Sequence, residues 1–228
     1  MGELSVRENI VNKFIDAIDP FLDKIETVAV IGASNSDPEI IELKKKKNFE
    51  LTTYGIDAEA DHQLDLNIQT ESKIKYDLIL CSQVLEHLYD VKSGLVNLVN
   101  LMDKDSLLWI GCPASNMSHG SPYYFSAGYQ PELITKLAEG LSLQSIVYGR
   151  VGTKRNYFMI HALRIWPTTE ELIHPIIKYN FSRLPKNSKL NALRYLRDLP
   201  GRIYASLIEN KISNKVEYAS ETFVWLKK

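Results

Sequence analysis

Histidine and carboxylate side chains occur at two places in the sequence where they could move a proton. The first is "LEHL", in which Glu86 and His87 directly follow an apolar run. The second is "HGSPYYFSAGY", a loop that begins with His119. Because the pKa of a histidine side chain lies close to neutral pH, either imidazole could act as a general base on a hydroxyl nucleophile. The structural alternatives are a pocket-shaping role for His87 and a loop-stabilising hydrogen bond for His119.

Aromatic residues accompany His119 in its loop. Tyr123, Tyr124 and Tyr129 combine flat apolar faces with hydroxyl tips, a combination that suits a small polar ligand. The pattern therefore predicts that these tyrosines, with Glu86 and His119, bind the acceptor of a reaction. Stacking on a sugar face and packing beneath a lid are equally compatible with it.

Two aspartates stand at the ends of predicted strands. Asp57 ends "FELTTYGID", 25 residues after Gly32, and its carboxylate could accept hydrogen bonds from both hydroxyls of a ribose. Asp65, in "HQLDLN", could accept from the exocyclic amine of an adenine. A helix N-cap for Asp57 and a turn position for Asp65 are the alternatives, and the spacing does not decide between them.

The segment "VAVIGASNSDPE" has the form of a strand, a short polar loop and a helix start. Asp37 is placed as an N-cap and Pro38 as the first helical residue. Such junctions bind nucleotides in α/β proteins, through loops that are usually rich in glycine. This loop has Gly32 followed by Ala33 and Ser34. Serine disfavours the positive φ that glycine adopts freely, but its hydroxyl could bind a carboxylate.

The elements that must position these residues alternate between strands and helices. The pattern predicts an N-terminal amphipathic helix over 5–25 and then a doubly wound, mostly parallel α/β sheet of seven strands. The runs "LSLQSIVYGR" and "NYFMIHALRIW" are expected to close this sheet as an antiparallel hairpin. In such sheets, ligands bind beyond the carboxyl ends of the strands, where the candidate residues all lie.

From residue 167 the strand pattern gives way to short helical stretches punctuated by prolines. We expect one Rossmann-like domain over 1–166 and a helical appendage over 167–228. A covering role, a homodimer contact and a surface for an anionic partner are all compatible with this appendage.

Composition excludes several classes of function. The chain of 228 residues is 45% hydrophobic and 24% charged, with a formal net charge of −1. No general attraction to nucleic acid or to an anionic membrane is expected. The two cysteines, Cys81 and Cys112, form no CxxC or Cys/His cluster, so we expect buried thiols and no metal site. The absence of an apolar leader or of a long apolar run favours a cytoplasmic location.

Residues 76–90, "YDLILCSQVLEHLYD", resemble the region that follows the fourth strand in class I S-adenosylmethionine-dependent methyltransferases. The resemblance extends over residues 27–165 and gains specificity from the order of Gly32, Asp57, Asp65 and Glu86. The chain departs from the family at Val30, where an acidic residue is usual, and at Ser34 and Ser36, where glycines are usual. The matching residues are Asp77, Leu78, Ile79, Val84, Leu85, Glu86, His87, Leu88 and Asp90.

The resemblance implies S-adenosylmethionine as cofactor and S-adenosylhomocysteine as product. Gly32, Ala33 and Ser34 would approach the methionine part. Asp57 would hold the ribose, and Asp65 and Leu66 the adenine. Ser82 and Gln83 would form the floor near the methionine.

The implied activity is methyl transfer to an oxygen, or less readily a nitrogen, of a small polar or anionic acceptor. A cell-surface sugar or a phosphorylated precursor would suit the aromatic loop. The alternative is a methyltransferase-like domain without activity that serves as a partner or assembly subunit. A nicotinamide-dependent oxidoreductase is disfavoured, because "GASNSD" supplies no GxGxxG junction.

Overall fold

A computed structural model of the chain describes residues 5–32, 37–117, 119, 122–164 and 188–228, with only the backbone described for 188–195. The predicted cofactor residues Ala33 and Ser34 lie outside this described part. No helix within it is long and apolar enough to cross a membrane.

The described residues form an eight-stranded sheet in the order β3-β2-β1-β4-β5-β8-β6-β7. Strands β1 to β5 pair in parallel, whereas β8 runs antiparallel to both β5 and β6. The predicted α/β sheet, mostly parallel with an antiparallel end, is thus confirmed, with eight strands where seven were predicted. The strands are β1 (Thr27–Ile31), β2 (Glu50–Gly55), β3 (His62–Gln63), β4 (Tyr76–Ser82), β5 (Met102–Pro113), β6 (Gln144–Thr153), β7 (Ile212–Ser213) and β8 (Glu221–Lys227).

The first helices begin at capping signals that the sequence carries. The Ser5 hydroxyl and the Glu8 carboxylate form a reciprocal capping box at the start of α1. Helices α2 and α4 each begin with proline, whose fixed φ suits the first helical position. The described helices are α1 (Val6–Ile18), α2 (Pro38–Lys46), α3 (Val91–Asn100), α4 (Pro131–Glu139), α5 (Lys154–Phe158) and α6 (Ser188–Leu207).

The predicted hairpin is wrong in its second strand. Residues Lys154–Phe158 form α5, which continues as a π-helical turn over Met159–Leu163. The Thr153 side chain accepts a hydrogen bond from the Asn156 backbone N–H and so begins a helix at this point. The antiparallel strand beside β6 is instead β8, which lies between β5 and β6.

The position of β8 also changes the predicted domain boundary. Residues Glu221–Lys227 were expected in a helical appendage, yet Thr222 to Leu226 are buried within the sheet. The prediction failed because this strand follows a long segment of helical pattern. A run of seven residues at the end of such a segment carries no local signal of its pairing partner.

The core consists of two apolar layers, one on each face of the sheet. Helices α3 and α4 cover one layer, and α1 and α2 cover the other. In the second layer, Phe14 of α1 is fully buried between Trp109 and Trp225, with ring centroids 5.3 and 6.0 Å away. Burial of a side chain of this size contributes about 1.5–3 kcal/mol, so α1 is an integral part of the fold.

Helix α6 is attached to the sheet domain through α5. The Arg155 guanidinium donates to the backbone carbonyl of Ile208 from Nε at 3.0 Å and from Nη2 at 2.8 Å. Carbonyls at the carboxyl end of a helix lack partners within the helix, and a cation there also favours the helix dipole. Arg155 therefore stabilises the end of α6 against α5.

Candidate active site

A cavity of about 630 Å³ lies at the carboxyl ends of β1, β2 and β4. Its volume is within the range of small-molecule sites. Five of the residues predicted to bind a cofactor line it: Gly32, Asp57, Asp65, Leu66 and Gln83. Further lining residues include Ile31, Tyr54, Ile56, Val84, His87, Tyr89, Tyr123 and Phe125.

Gly32 occupies a backbone position that other residues adopt with strain. Its φ is +68°, and its N–H donates to the Tyr54 carbonyl at 2.7 Å. A Cβ at this position would lie only 2.6 Å from Cγ2 of Val84. The chain therefore turns away from β1 directly beneath Val84, on the wall of the cavity.

Asp57 and Asp65 lie on the same side of the cavity but differ in their surroundings. Asp57 is exposed at the end of β2. Asp65 is half-buried, and its Oδ1 accepts from the backbone N–H of Asn67 at 2.9 Å and from the Asn67 side chain at 3.1 Å. The turn interpretation of Asp65 is thus present in the structure, together with its position on the cavity wall.

Gln83 lines the cavity in a left-handed conformation, with φ of +58°. Its N–H donates to the Gly111 carbonyl at 2.7 Å, and its Nε2 donates to Oε2 of Glu221 at 2.9 Å. Two neighbouring strands, β5 and β8, therefore fix this residue. Burial raises the pKa of Glu221 to about 7.

Ser82 does not line the cavity, contrary to its predicted position on the floor. Its side chain is buried and its hydroxyl donates to Oε1 of Glu39 at 3.3 Å. Ser82 is the last residue of β4, whereas Gln83 lies beyond the strand in a left-handed conformation, so the two side chains have different surroundings.

An ion-pair network that was not predicted from the sequence lies behind Ser82. Arg7 of α1 donates through Nη2 to Glu39 at 2.6 Å and to Asp37 at 3.3 Å, and Glu39 is fully buried. Burial and the neighbouring Glu39 raise the pKa of Asp37 to about 6. A glutamate in the first turn of a helix fits the helix dipole, so its position in the sequence does not indicate burial.

Val30 takes no part in this network. It is fully buried in the layer that α1 and α2 cover. The departure from the family pattern at this position therefore leaves an apolar side chain in the core.

Glu86, His87 and His119 form a cluster beside the cavity. His87 Nε2 lies 3.8 Å from Glu86 Oε1, and the rings of His87 and His119 have centroids 5.1 Å apart. The Glu86 side chain is fully buried, and neither of its oxygens has a hydrogen-bond partner in the described part of the chain. Burial raises the pKa of this carboxyl group. The structure thus brings together both predicted catalytic histidines, although of the two only His87 lines the cavity.

The loop that carries His119 is fixed to the chain at Glu86. The Glu86 backbone carbonyl accepts from the N–H groups of Phe125 and Ser126, at 3.0 and 3.2 Å. Gly128, with φ of +145°, closes the loop so tightly that a Cβ would lie 2.4 Å from the Pro113 carbonyl oxygen. Residues Phe125 to Gly128 of this loop are therefore held in place beside Glu86 and Pro113.

The predicted acceptor residues have different surroundings. Tyr123 is exposed and lines the cavity. The Tyr124 hydroxyl donates to the Asn116 carbonyl at 3.2 Å, and the Tyr129 side chain packs against the core. Burial raises the pKa of both Tyr124 and Tyr129, so each remains a neutral phenol at physiological pH. Neither Tyr124 nor Tyr129 nor Glu86 lines the cavity.

Aromatic side chains form the rim of the cavity. Tyr89 is 67% exposed and Phe125 is 51% exposed, and their rings meet edge to face with centroids 5.8 Å apart. Tyr89 directly follows "LEHL" in the sequence but was not among the predicted site residues. An exposed aromatic pair at a cavity entrance is a typical binding surface.

Cys81 and Cys112 are free and fully buried, as predicted. Burial raises the pKa of both thiols. Because the thiolate is the reactive form of cysteine, this argues against a catalytic thiol.

No protein-family profile and no curated protein matches the chain. Solved structures do match it. A SAM-dependent methyltransferase from Archaeoglobus fulgidus is 14% identical, with a TM-score of 0.53 over 97% of this chain and 94% of the other. Coclaurine N-methyltransferase bound to N-methylheliamine and SAH is 13% identical, with a TM-score of 0.54 over 100% and 76%.

A third match catalyses a different reaction in the same fold. The [4+2]-cyclase SpnF is 8% identical, with a TM-score of 0.55 over 100% of this chain and 84% of the other. The chain therefore has the class I methyltransferase fold, and the activity must be argued from the site.

Proposed function

We propose that this chain transfers the methyl group of S-adenosylmethionine to an oxygen of a small polar or anionic acceptor. The observation that carries the proposal is the composition of one cavity. Its wall unites Gly32, Asp57, Asp65 and Gln83 from separate segments, and an acidic and imidazole cluster lies beside it.

The cofactor would bind across the carboxyl ends of β1, β2 and β4. The exposed Asp57 carboxylate would accept from the ribose hydroxyls, and Leu66 would contact the adenine. The turn at Gly32 would let the backbone approach the methionine part. Gln83 would form the floor there, with its side chain held by Glu221.

In the proposed reaction, the methyl carbon–sulfur bond breaks as the bond to the acceptor oxygen forms. The electron pair of the broken bond stays on sulfur, which gives S-adenosylhomocysteine, and the hydroxyl proton leaves. Because the sulfonium donor is already activated, holding the two reactants in line and excluding water are the main tasks.

The Glu86–His87–His119 cluster offers two ways to assist a hydroxyl acceptor. An imidazole can take up the proton. Alternatively, two imidazoles and a carboxylate can bind a cation that lowers the pKa of the hydroxyl.

The rim favours an acceptor with a flat or weakly polar face. Tyr89, Tyr123 and Phe125 together offer exposed aromatic surface around the entrance. Sugar rings stack on such surfaces through their C–H faces while their hydroxyls reach polar groups. A sugar or a phosphorylated precursor is therefore the acceptor class to test first.

A second candidate is a methyltransferase-like protein that binds the cofactor but transfers no methyl group. Val30, buried in the core where the family usually has an acidic residue, favours this alternative. Cofactor binding without turnover on any acceptor would distinguish it from the leading proposal.

Calorimetric titration with S-adenosylmethionine tests the cofactor assignment. We expect saturable binding, weakened at least about 10-fold in Asp57→Ala, because hydrogen bonds to a charged group contribute about 1.5–3 kcal/mol. The matched control is Asp103→Ala, which removes an exposed aspartate near the start of β5, outside the cavity lining. No binding at millimolar cofactor would overturn the proposal.

The acceptor is sought by measuring S-adenosylhomocysteine release. The compounds to screen are nucleotide sugars, phosphorylated metabolites and glycan fragments. The S-adenosylhomocysteine released by the protein and cofactor without acceptor is the background. Release that depends on one of these compounds and on Asp57 supports methyl transfer.

A further inference from the structure

We propose that Glu86, His87 and His119 bind one divalent transition-metal ion. One possible ligand atom from each of these side chains lies within 4.8 Å of the others. Ligands about 2.1 Å from a shared metal lie about 3–4 Å from one another, so the 3.8 Å between His87 Nε2 and Glu86 Oε1 already fits.

Glu86 supplies an independent reason to expect a cation. Its side chain is fully buried, and both carboxylate oxygens lack hydrogen-bond partners within the described residues. A buried carboxylate without a hydrogen bond is costly, and a metal ion would supply both charge and directed bonds. The network around Arg7 does not meet this need, because Arg7 binds Glu39 and Asp37 instead.

The two histidines are held as metal-binding histidines usually are. Nδ1 of His87 lies 2.5 Å from the Tyr123 carbonyl, and Nδ1 of His119 lies 3.0 Å from the Met117 carbonyl. Because a carbonyl can only accept, these contacts require a proton on Nδ1, and in the neutral imidazole Nε2 is then the nitrogen that can bind an ion. A hydrogen bond from the second ring nitrogen to a backbone carbonyl fixes the orientation of a ligating imidazole.

The backbone joins the two segments that carry the ligands. Glu86 and His87 lie on the 3₁₀ turn after β4, and His119 lies on the loop after β5. The same Glu86 that would bind the ion also accepts two backbone hydrogen bonds from that loop. The proposed site is therefore supported by main-chain contacts on both sides.

The ligand set indicates the kind of ion. Two imidazoles and one carboxylate favour Zn²⁺, Mn²⁺, Fe²⁺ or Co²⁺ over Mg²⁺ and Ca²⁺, which prefer oxygen ligands. Three protein ligands leave coordination positions open. His87 lines the cavity, so these positions would face a bound small molecule. If the methyl transfer proposed above is correct, they would take the acceptor oxygen and lower the pKa of its hydroxyl.

The test is metal binding to the full chain after removal of metal with a chelator. Co²⁺ titration followed by visible absorption, and Zn²⁺ and Mn²⁺ titration followed by calorimetry, are done without cofactor or acceptor. We expect one ion per chain, with affinity at least about 10-fold weaker in His119→Ala and in Glu86→Gln. His62→Ala, which removes an exposed histidine of β3, serves as the matched control and should bind as the unaltered protein does.

Glu86→Gln keeps the shape of a buried side chain, and circular dichroism checks that each variant is folded. The proposal is overturned if none of the three ions binds saturably at millimolar concentration, or if folded Glu86→Gln and His119→Ala both retain full affinity. S-adenosylmethionine binding is measured separately on the same samples. Metal binding without cofactor binding would leave the metal site and overturn the proposed methyl transfer, whereas the reverse result would overturn the metal site alone.

Discussion

Gln83 on the cavity wall donates a hydrogen bond of 2.9 Å to Glu221, a residue 138 positions later in the chain. Gln83 follows β4, and Glu221 is the first residue of β8. The bond therefore links the most characteristic stretch of the sequence to the strand that the sequence analysis did not identify. It also joins a residue of unusual backbone conformation to the sheet.

A double-mutant cycle measures this link. We expect the effects of Gln83→Ala and Glu221→Ala on the free energy of unfolding to be non-additive, with a coupling of about 0.5–2 kcal/mol, because each variant removes the same hydrogen bond. Urea denaturation of the two single variants and the double variant gives the value. Additive effects would mean that the contact contributes nothing to stability.

Stability should depend on pH through Glu221. Burial raises the pKa of this carboxyl group from 4.5 to about 7. Between these values, the folded protein holds a proton that the unfolded chain has released, so the free energy of unfolding falls as pH rises. Glu221→Gln removes this dependence. The melting temperature of the variant minus that of the unaltered protein should therefore be larger at pH 8 than at pH 4.5.

The control for that experiment is Glu217→Gln, an exposed glutamate on the turn before β8. Its melting temperature relative to the unaltered protein should not change with pH in the way expected for Glu221→Gln. An equal difference at pH 4.5 and pH 8 for Glu221→Gln would contradict the assignment of the raised pKa.

Gly32→Ala should destabilise the fold and close part of the cavity. The left-handed conformation costs a non-glycine residue about 1–2 kcal/mol, and the added Cβ would lie 2.6 Å from Val84. Urea denaturation should show a loss of at least that size. Adding Val84→Ala to Gly32→Ala should recover the stability lost through the close contact with the Val84 side chain. The loss caused by the left-handed backbone conformation should remain.

Gly55→Ala is the comparison for Gly32→Ala, because Gly55 also lines the cavity. Its added Cβ would meet the nearest atom at an ordinary 3.4 Å. We expect little loss of stability from it. If both variants are destabilised equally, backbone strain at Gly32 is not the cause of the stability lost in Gly32→Ala.

The sequence predicted much of the cavity because its residues occupy equivalent places in a parallel sheet. Gly32, Asp57 and Gln83 each lie at or just beyond the carboxyl end of a strand, and those ends meet along one edge. The period of the apolar pattern was sufficient to locate β1, β2 and β4.

The remaining features depend on contacts that carry no local sequence signal. Nothing in "ETFVWLK" indicates insertion between β5 and β6. Likewise, Glu39 and Arg7 look like ordinary surface residues of two helices until those helices pack together. Glu86 and His119 are 33 residues apart and match no spacing used for metal ligands, so no metal site was expected.

The aromatic rim gives a prediction that separates acceptor binding from cofactor binding. Tyr89→Ala and Phe125→Ala should each lower kcat/KM for the acceptor about 3- to 10-fold, because each removes one exposed ring at the cavity entrance. The affinity for S-adenosylmethionine, measured by calorimetry, should stay the same. Tyr148→Ala, on β6 and outside the cavity lining, is the matched control. If cofactor affinity falls in parallel with kcat/KM, the rim contacts the cofactor and the acceptor must enter from the His119 side.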